Sequence, residues 1–106
     1  MRRALVLANK IVAGTLTETD DMHYIFKYDD EYLINPKFRA ISLAFPIRKE
    51  EYVSDELFPF FYNMLSEGAN KATQCMTLKI DESDSFGLLL ATAKYDTIGA
   101  ITVEEI

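Results

Sequence analysis

The segment MHYIFKY, residues 22–28, alternates without a break. Met22, Tyr24, Phe26 and Tyr28 fall on one face; His23, Ile25 and Lys27 fall on the other. A period of two is the signature of a strand with one buried face. This strand sets the fold class, because a strand needs neighbours to satisfy its backbone. Upstream lie two apolar runs, Ala4–Ala8 and Ile11–Leu16, separated by Asn9-Lys10. Asn tolerates the left-handed conformation that tight hairpin turns need, so the two runs are expected to form a β-hairpin. Downstream, Asp29 and Asp30 favour a turn. Pro36 stops any short helix begun around Glu31 to Ile34. Ile41, Leu43 and Phe45 then alternate with Ser42 and Ala44, which predicts another strand. Pro46 ends that strand or holds it at a sheet edge.

The middle of the chain reads as helical. Ser54 is the expected N-cap, followed by Asp55 and Glu56 in the first turn, where the helix dipole favours negative charge. Val53 and Phe58 stand at the two positions of a hydrophobic staple. Pro59 requires a tight first turn with the regular helix restarting there. Phe60, Phe61, Met64 and Leu65 form its apolar stripe, and Gly68 is the expected stop. A second helix is expected from about Asn70 to Lys79, with Ala72, Cys75, Met76 and Leu78 inward. A third runs from about Ser83, its candidate cap, through Phe86 to Ala93. Ile98 to Val103 reads as a closing strand, with Gly99 marking a bulge or a close backbone approach.

Strands first, then helices, then a last strand argue α+β. The expected fold is one domain over residues 1–106, with an antiparallel, partly barrel-like sheet of about five strands packed with two or three helices. Apolar residues make up 49% of the 106-residue chain. A domain of this size buries roughly two-thirds of its unfolded surface, enough for a core without metal or disulfide staples.

The net charge is −6, and acidic residues recur in short clusters: Glu18–Asp21, Asp29–Glu31, Glu50-Glu51, Asp81–Asp84 and Glu104-Glu105. Most of these read as solvated surface. No basic run is longer than the pair Arg2-Arg3. Phosphate-backbone binding rests on clustered Lys and Arg, so direct nucleic-acid binding is not expected. The single cysteine, Cys75, fits a reducing compartment and reads as a small buried apolar side chain. No stretch approaches the ~20 apolar residues of a membrane span. Arg2-Arg3 followed by Ala4–Ala8 superficially resembles an export signal, but the apolar run is too short and Lys10 interrupts it. A cytoplasmic location is expected.

Catalytic and metal chemistry find little support in the residue pattern. His23 is the only histidine, and no nucleophile or orienting carboxylate can be assigned to it from spacing. It reads as a surface or hairpin histidine. One Cys and one His do not make a zinc site. Asp81, Glu82 and Asp84 lack the pattern of a calcium loop and read as a solvated helix start. The scattered glycines Gly14, Gly68, Gly87 and Gly99 form no phosphate-cradling loop. No enzyme activity, cofactor or metal is expected. The segment Leu57–Leu65 is apolar nearly all round, more than a surface helix needs to face one core. It is either sandwiched deep in the fold or shared between the core and a partner.

The stretch ISLAFPIRKEEYVSDELFPFFYNMLSEGANK, residues 41–71, resembles the N-terminal subdomain of HipA-type serine/threonine kinases. That family carries Ser-Leu-x-x-Pro-Leu, a spacer, and Phe-Phe-x-x-Leu-Leu-Pro-Glu-Gly. YDTIGAITV, residues 95–103, is similar to its closing strand, and ALVLANKIVAGTLT and HYIFKYDDEYL to its first hairpin and third strand. The resemblance covers essentially the whole chain. Within the family the chain is similar to HipS-like antitoxins of three-part HipBST systems, which bind and inhibit a shortened kinase, HipT. A start at Met1 and an end just past the closing strand are read as those of a complete small gene product.

The resemblance implies a HipT- or HipA-like kinase toxin as partner, with a HipB-like helix-turn-helix protein in the same complex. It implies docking through Phe61, Met64, Leu65, Ser66, Glu67, Gly68, Ala69 and Asn70. The alternative it leaves open is an N-terminal subdomain, or a non-inhibitory scaffold subunit, of a HipA-type kinase complex. Ser66 stands where the family has Pro. Ala69 stands where relatives similar to HipS often have Trp. Tryptophan is a frequent binding hot spot and alanine is not, so an aromatic plug is not expected here.

Overall fold

In the computed structural model Asn9 and Lys10 both take positive φ, 51° and 69°. That is the backbone of a tight hairpin turn whose twist matches its strands. It joins β1 (Arg2–Ala8) to β2 (Ile11–Glu18) as expected. The structure describes residues 1–65, 68–81, 83–92 and 101–106. β3 (Tyr24–Tyr28) pairs with β2, β4 (Tyr52–Ser54) pairs with β3, and β5 (Ile101–Glu105) pairs with β1. All pairings are antiparallel, in the order β4-β3-β2-β1-β5. The sheet is open, with β4 and β5 at its edges, rather than closing toward a barrel.

The helices among the described residues are α1 (Asp30–Ile34), α2 (Pro59–Tyr62), α3 (Gly68–Leu78) and α4 (Ser85–Thr92). With the five strands they make an α+β fold. α1 and α2 are single turns, which accounts for four helices where two or three were expected.

Register explains the core. Ala4, Leu16, Phe26 and Tyr52 are successive cross-strand partners and form one inward row. Val103, Val6, Gly14 and Tyr28 form the next. The pairing slips between Val6 and Leu7, where Ala13 is the extra residue, so both Ala13 and Leu16 face inward despite odd spacing. A Cβ on Gly14 would lie 2.4 Å from the Lys27 carbonyl oxygen and 2.9 Å from the Phe26 ring. Only glycine fits this close approach. Phe58, Phe61, Phe86, Leu88 and Leu89 complete the core from the helical side.

Several expectations are corrected. Residues 41–45 form bends and turns, not a strand: Phe45 is buried while Leu43 is fully exposed. The alternation serves a pinned loop instead. The Tyr28 hydroxyl donates to the Phe45 carbonyl and accepts from the Ile41 N–H at 3.1 Å. The Tyr32 hydroxyl donates to the Arg39 carbonyl at 2.6 Å, and the Tyr52 hydroxyl donates to that of Pro46. Tyr28→Phe is expected to strand a buried donor and acceptor and lower stability by about 2–3 kcal/mol. A urea melt would measure it, and an unchanged midpoint would refute the pin.

Ser54 ends β4 and caps no helix; its Oγ accepts from the Glu56 N–H at 3.2 Å in a local turn. Val53 is exposed on the edge strand, so no staple forms with Phe58. The helix starts only at Pro59, whose missing N–H costs nothing in the first turn. It ends after one turn, and Gly68 begins α3 rather than stopping α2. Met22 has positive φ and lies exposed in the turn before β3. In α3, Cys75 is buried as expected, but Met76 and Leu78 are exposed. α3 ends with Lys79 left-handed and the Ile80 N–H donating to the Cys75 carbonyl at 2.9 Å, a Schellman closure. Asp84, not Ser83, caps α4: its Oδ1 accepts from the Gly87 N–H at 3.1 Å. Ile98 to Ala100, with Gly99, lie outside the described residues; the described closing strand is Ile101–Glu105.

Candidate functional site

The aromatic segment 57–65 divides by depth. Leu57, Phe58, Phe61 and Leu65 are buried, Phe60 and Met64 pack partly against the core, and Tyr62 is 44% exposed. Phe61 has no solvent exposure. Its ring centroid lies 5.2–6.3 Å from those of Phe26, Phe45, Phe58 and Phe60. Such tilted and edge-on contacts add to the burial of the rings. Of the two readings of this segment, the deep one holds for most of its side chains. Phe61 and Leu65 belong to the core, just ahead of segment 66–70 in the chain.

Met64 lies half-buried just before that segment. Ser66 and Glu67 lie outside the described residues. Gly68, Ala69 and Asn70 form the first turn of α3. The described residues of the sequence-predicted site thus lie at the end of the buried aromatic turn and in the first turn of α3. An open groove of about 420 Å³ lies beside it, lined by Met22, Tyr24, Asp55, Leu57, Tyr62 and Asn63 among others. Met22, Asp55 and Tyr62 escaped sequence reasoning, because a groove between a turn, the start of β3, the segment after β4 and a helix has no local signature.

His23 lies on the turn between β2 and β3. Its Nδ1 is 3.2 Å from Asp21 Oδ2 and its Nε2 is 3.0 Å from Asp55 Oδ1. Both ring nitrogens are therefore taken up by carboxylates, which tie this turn to the segment after β4. Thr19 and His23 hold the Asp21 carboxyl below its ordinary value. Among the described residues no group of three or more His, Cys, Asp or Glu side chains could hold a metal ion. Among them, too, no helix is long and apolar enough to cross a membrane.

A charge network shares Tyr24 with the open groove. Arg2, Glu18, Tyr24 and Ser54 are successive cross-strand partners. Arg2 donates to Glu18 Oε1 through Nε at 2.9 Å and Nη2 at 2.6 Å, and to Asp84 Oδ1 at 2.7 Å. The Tyr24 hydroxyl donates to Glu18 Oε2 at 2.9 Å. Glu18 is 6% exposed, so the first acidic cluster is not wholly solvated surface. Arg2 hydrogen bonds hold Asp84 below the ordinary carboxylate range. Burial and then Glu18 push Tyr24 up to about 12. The network joins β1, β2, β3 and α4; it is structural.

Comparison with known proteins places the chain. Residues 4–104 match the family model described as HipA N-terminal domain. A protein of Haemophilus influenzae (strain Rd), described as uncharacterized, is 36% identical over 92 residues, covering 87% of this chain and 81% of that protein. The solved N-terminal domain of HipA toxin superimposes with a TM-score of 0.70 at 29% identity, covering 100% of this chain and 93% of that one. The antiparallel sheet, the aromatic turn and the sequence match over nearly every residue agree: the chain belongs to the HipA N-terminal domain family.

Proposed function

We propose that this domain is an antitoxin that binds a HipA- or HipT-like serine/threonine kinase toxin and restrains it by docking. It acts in the cytoplasm and does no chemistry of its own. The observation that carries the reading is the family match over residues 4–104. Met64, Ser66, Glu67, Gly68, Ala69 and Asn70 form the contact, with Phe61 and Leu65 as the rigid support beneath. Supporting a binding segment on a packed core limits the entropy lost on association. A HipB-like helix-turn-helix protein is the third member of the complex.

Co-expression with the kinase is expected to relieve growth arrest, and the two chains are expected to co-purify. Unchanged arrest with no co-purification would overturn the proposal. A second reading has its own support: the similar solved structure is itself described as a domain of a toxin. On that reading the chain is the N-terminal subdomain, or a non-inhibitory scaffold, of a kinase complex. Kinase assays with and without the chain separate the two, since a scaffold forms the complex without lowering phosphorylation.

A further inference from the structure

The segment between Lys37 and Lys49 contains Lys37, Arg39, Arg48 and Lys49 and no Asp or Glu, in a chain whose net charge is −6. It lies within the long connection between α1 and β4. Connections of this length without regular structure are uncommon in compact domains and are usually functional or disordered. This one is held in place by the hydroxyls of Tyr28, Tyr32 and Tyr52 and by the buried Phe45 ring. Arg48 adds a further brace, stacked 3.7 Å from the Tyr52 ring centroid and donating to the Glu51 carbonyl at 3.0 Å. The fixed backbone presents a fully exposed Leu43 and an exposed Ile47 among exposed Arg39 and Lys49. Beside them is an open hollow of about 490 Å³ lined by Arg39, Ala40, Ser42, Leu43 and Pro46.

We propose that loop 37–49 is a second docking surface, which takes an acidic, apolar-studded surface of the partner kinase. The inference rests on the kinase reading above for the identity of the partner, and on local charge complementarity for the site. A nucleic-acid backbone suits it poorly: interfaces with nucleic acid are more polar, and here aliphatic side chains stand between the bases. The net charge of −6 also opposes large polyanions and anionic membranes. A local acidic protein surface meets the basic loop, and the exposed pair Glu50-Glu51 bounds the site at its C-terminal end. In this arrangement Arg39 and Lys49 steer the encounter, and Leu43 anchors the formed complex.

The test measures binding of the purified kinase to the full chain by surface plasmon resonance at low and high salt. R39E/K49E is expected to slow association about tenfold at low salt and to converge on wild type at high salt. L43D is expected to speed dissociation about tenfold. All three positions are exposed, and the two variants act independently, so loss of fold in one leaves the other decisive. Wild-type binding that both variants leave unchanged would overturn this inference alone. No wild-type binding would overturn the kinase reading and this one together. Variant-sensitive binding to phosphatidylserine vesicles, or variant-sensitive self-association in sedimentation, with kinase binding unaffected, would also overturn it.

Discussion

Phe61→Ala is expected to destabilise the domain by about 3–5 kcal/mol. The residue is fully buried, and four phenylalanine rings surround it. Removing the ring deletes its transfer energy and leaves a cavity that neighbours on three different elements cannot close together. A domain of this length has roughly 5–15 kcal/mol in total, so the variant will be partly unfolded at modest denaturant. Any loss of kinase binding it causes will therefore track the unfolded fraction. Tyr62→Ser, on the next residue and 44% exposed, is expected to cost less than half as much. Urea melts of the two variants decide the matter. Equal losses would mean that the turn is not divided into a core side and a solvent side as the structure has it.

That division sorts the residues to which the resemblance points. The family pattern names Phe61, Met64 and Leu65 together with the segment that follows, yet two of the three are core. A single helical turn of aromatics buries whichever residues face the sheet. Which ones do so depends on where the turn starts. Pro59, not Ser54, starts it, and the three-residue strand before it has no sequence signal strong enough to compete with an apparent cap. The acidic residues around Tyr52–Ser54 look like a first helical turn only until the pairing with β3 is known.

Local signals were legible where local physics decided. Asn9-Lys10 and the flanking apolar runs specify the hairpin, and Tyr24, Phe26 and Tyr28 specify the inward face of β3. Ile41, Leu43 and Phe45 carry the same alternation and mislead, because the loop's conformation is set by tyrosine hydroxyls from β3, α1 and β4. Those donors lie six to seventeen residues away on other elements, so the alternation itself does not reveal them. The proposal of segment 66–70 as a docking segment came only through family resemblance. The basic loop left a plain trace in the sequence, an absence of carboxylates across residues 37–49, which the chain-wide acidity hid.

Glu18→Ala is expected to cost about 1–3 kcal/mol, because it leaves the Tyr24 hydroxyl without its acceptor and takes one of two carboxylates from a partly exposed Arg2. Arg2 keeps its bonds to Asp84 and its place 5.2 Å from the Phe86 ring centroid, so the group left unpaired is the Tyr24 hydroxyl. The triple variant Arg2→Met/Glu18→Leu/Tyr24→Phe removes these three polar groups at once, leaves the partly exposed Asp84 to cap α4, and is expected to recover part of the loss. If the triple variant is no better than Glu18→Ala, the network stabilises by direct attraction rather than by avoiding unpaired groups. The pH limbs give an independent reading. Asp84 has a folded-state pKa depressed below its ordinary 3.8, so its contribution is present above that value and lost as pH falls through the folded one. Arg2→Met should flatten this acid limb below about pH 4. Tyr24 is raised from 10.0 to about 12. Its contribution is therefore intact below 10 and lost as pH rises toward 12. Tyr24→Phe should flatten part of that alkaline limb, and Tyr28, pushed to about 12 by burial, and Tyr32, also raised by burial, should carry further parts of it. Thermal melts across both limbs would show whether the acid and alkaline losses separate between Arg2 and Tyr24 as this register requires.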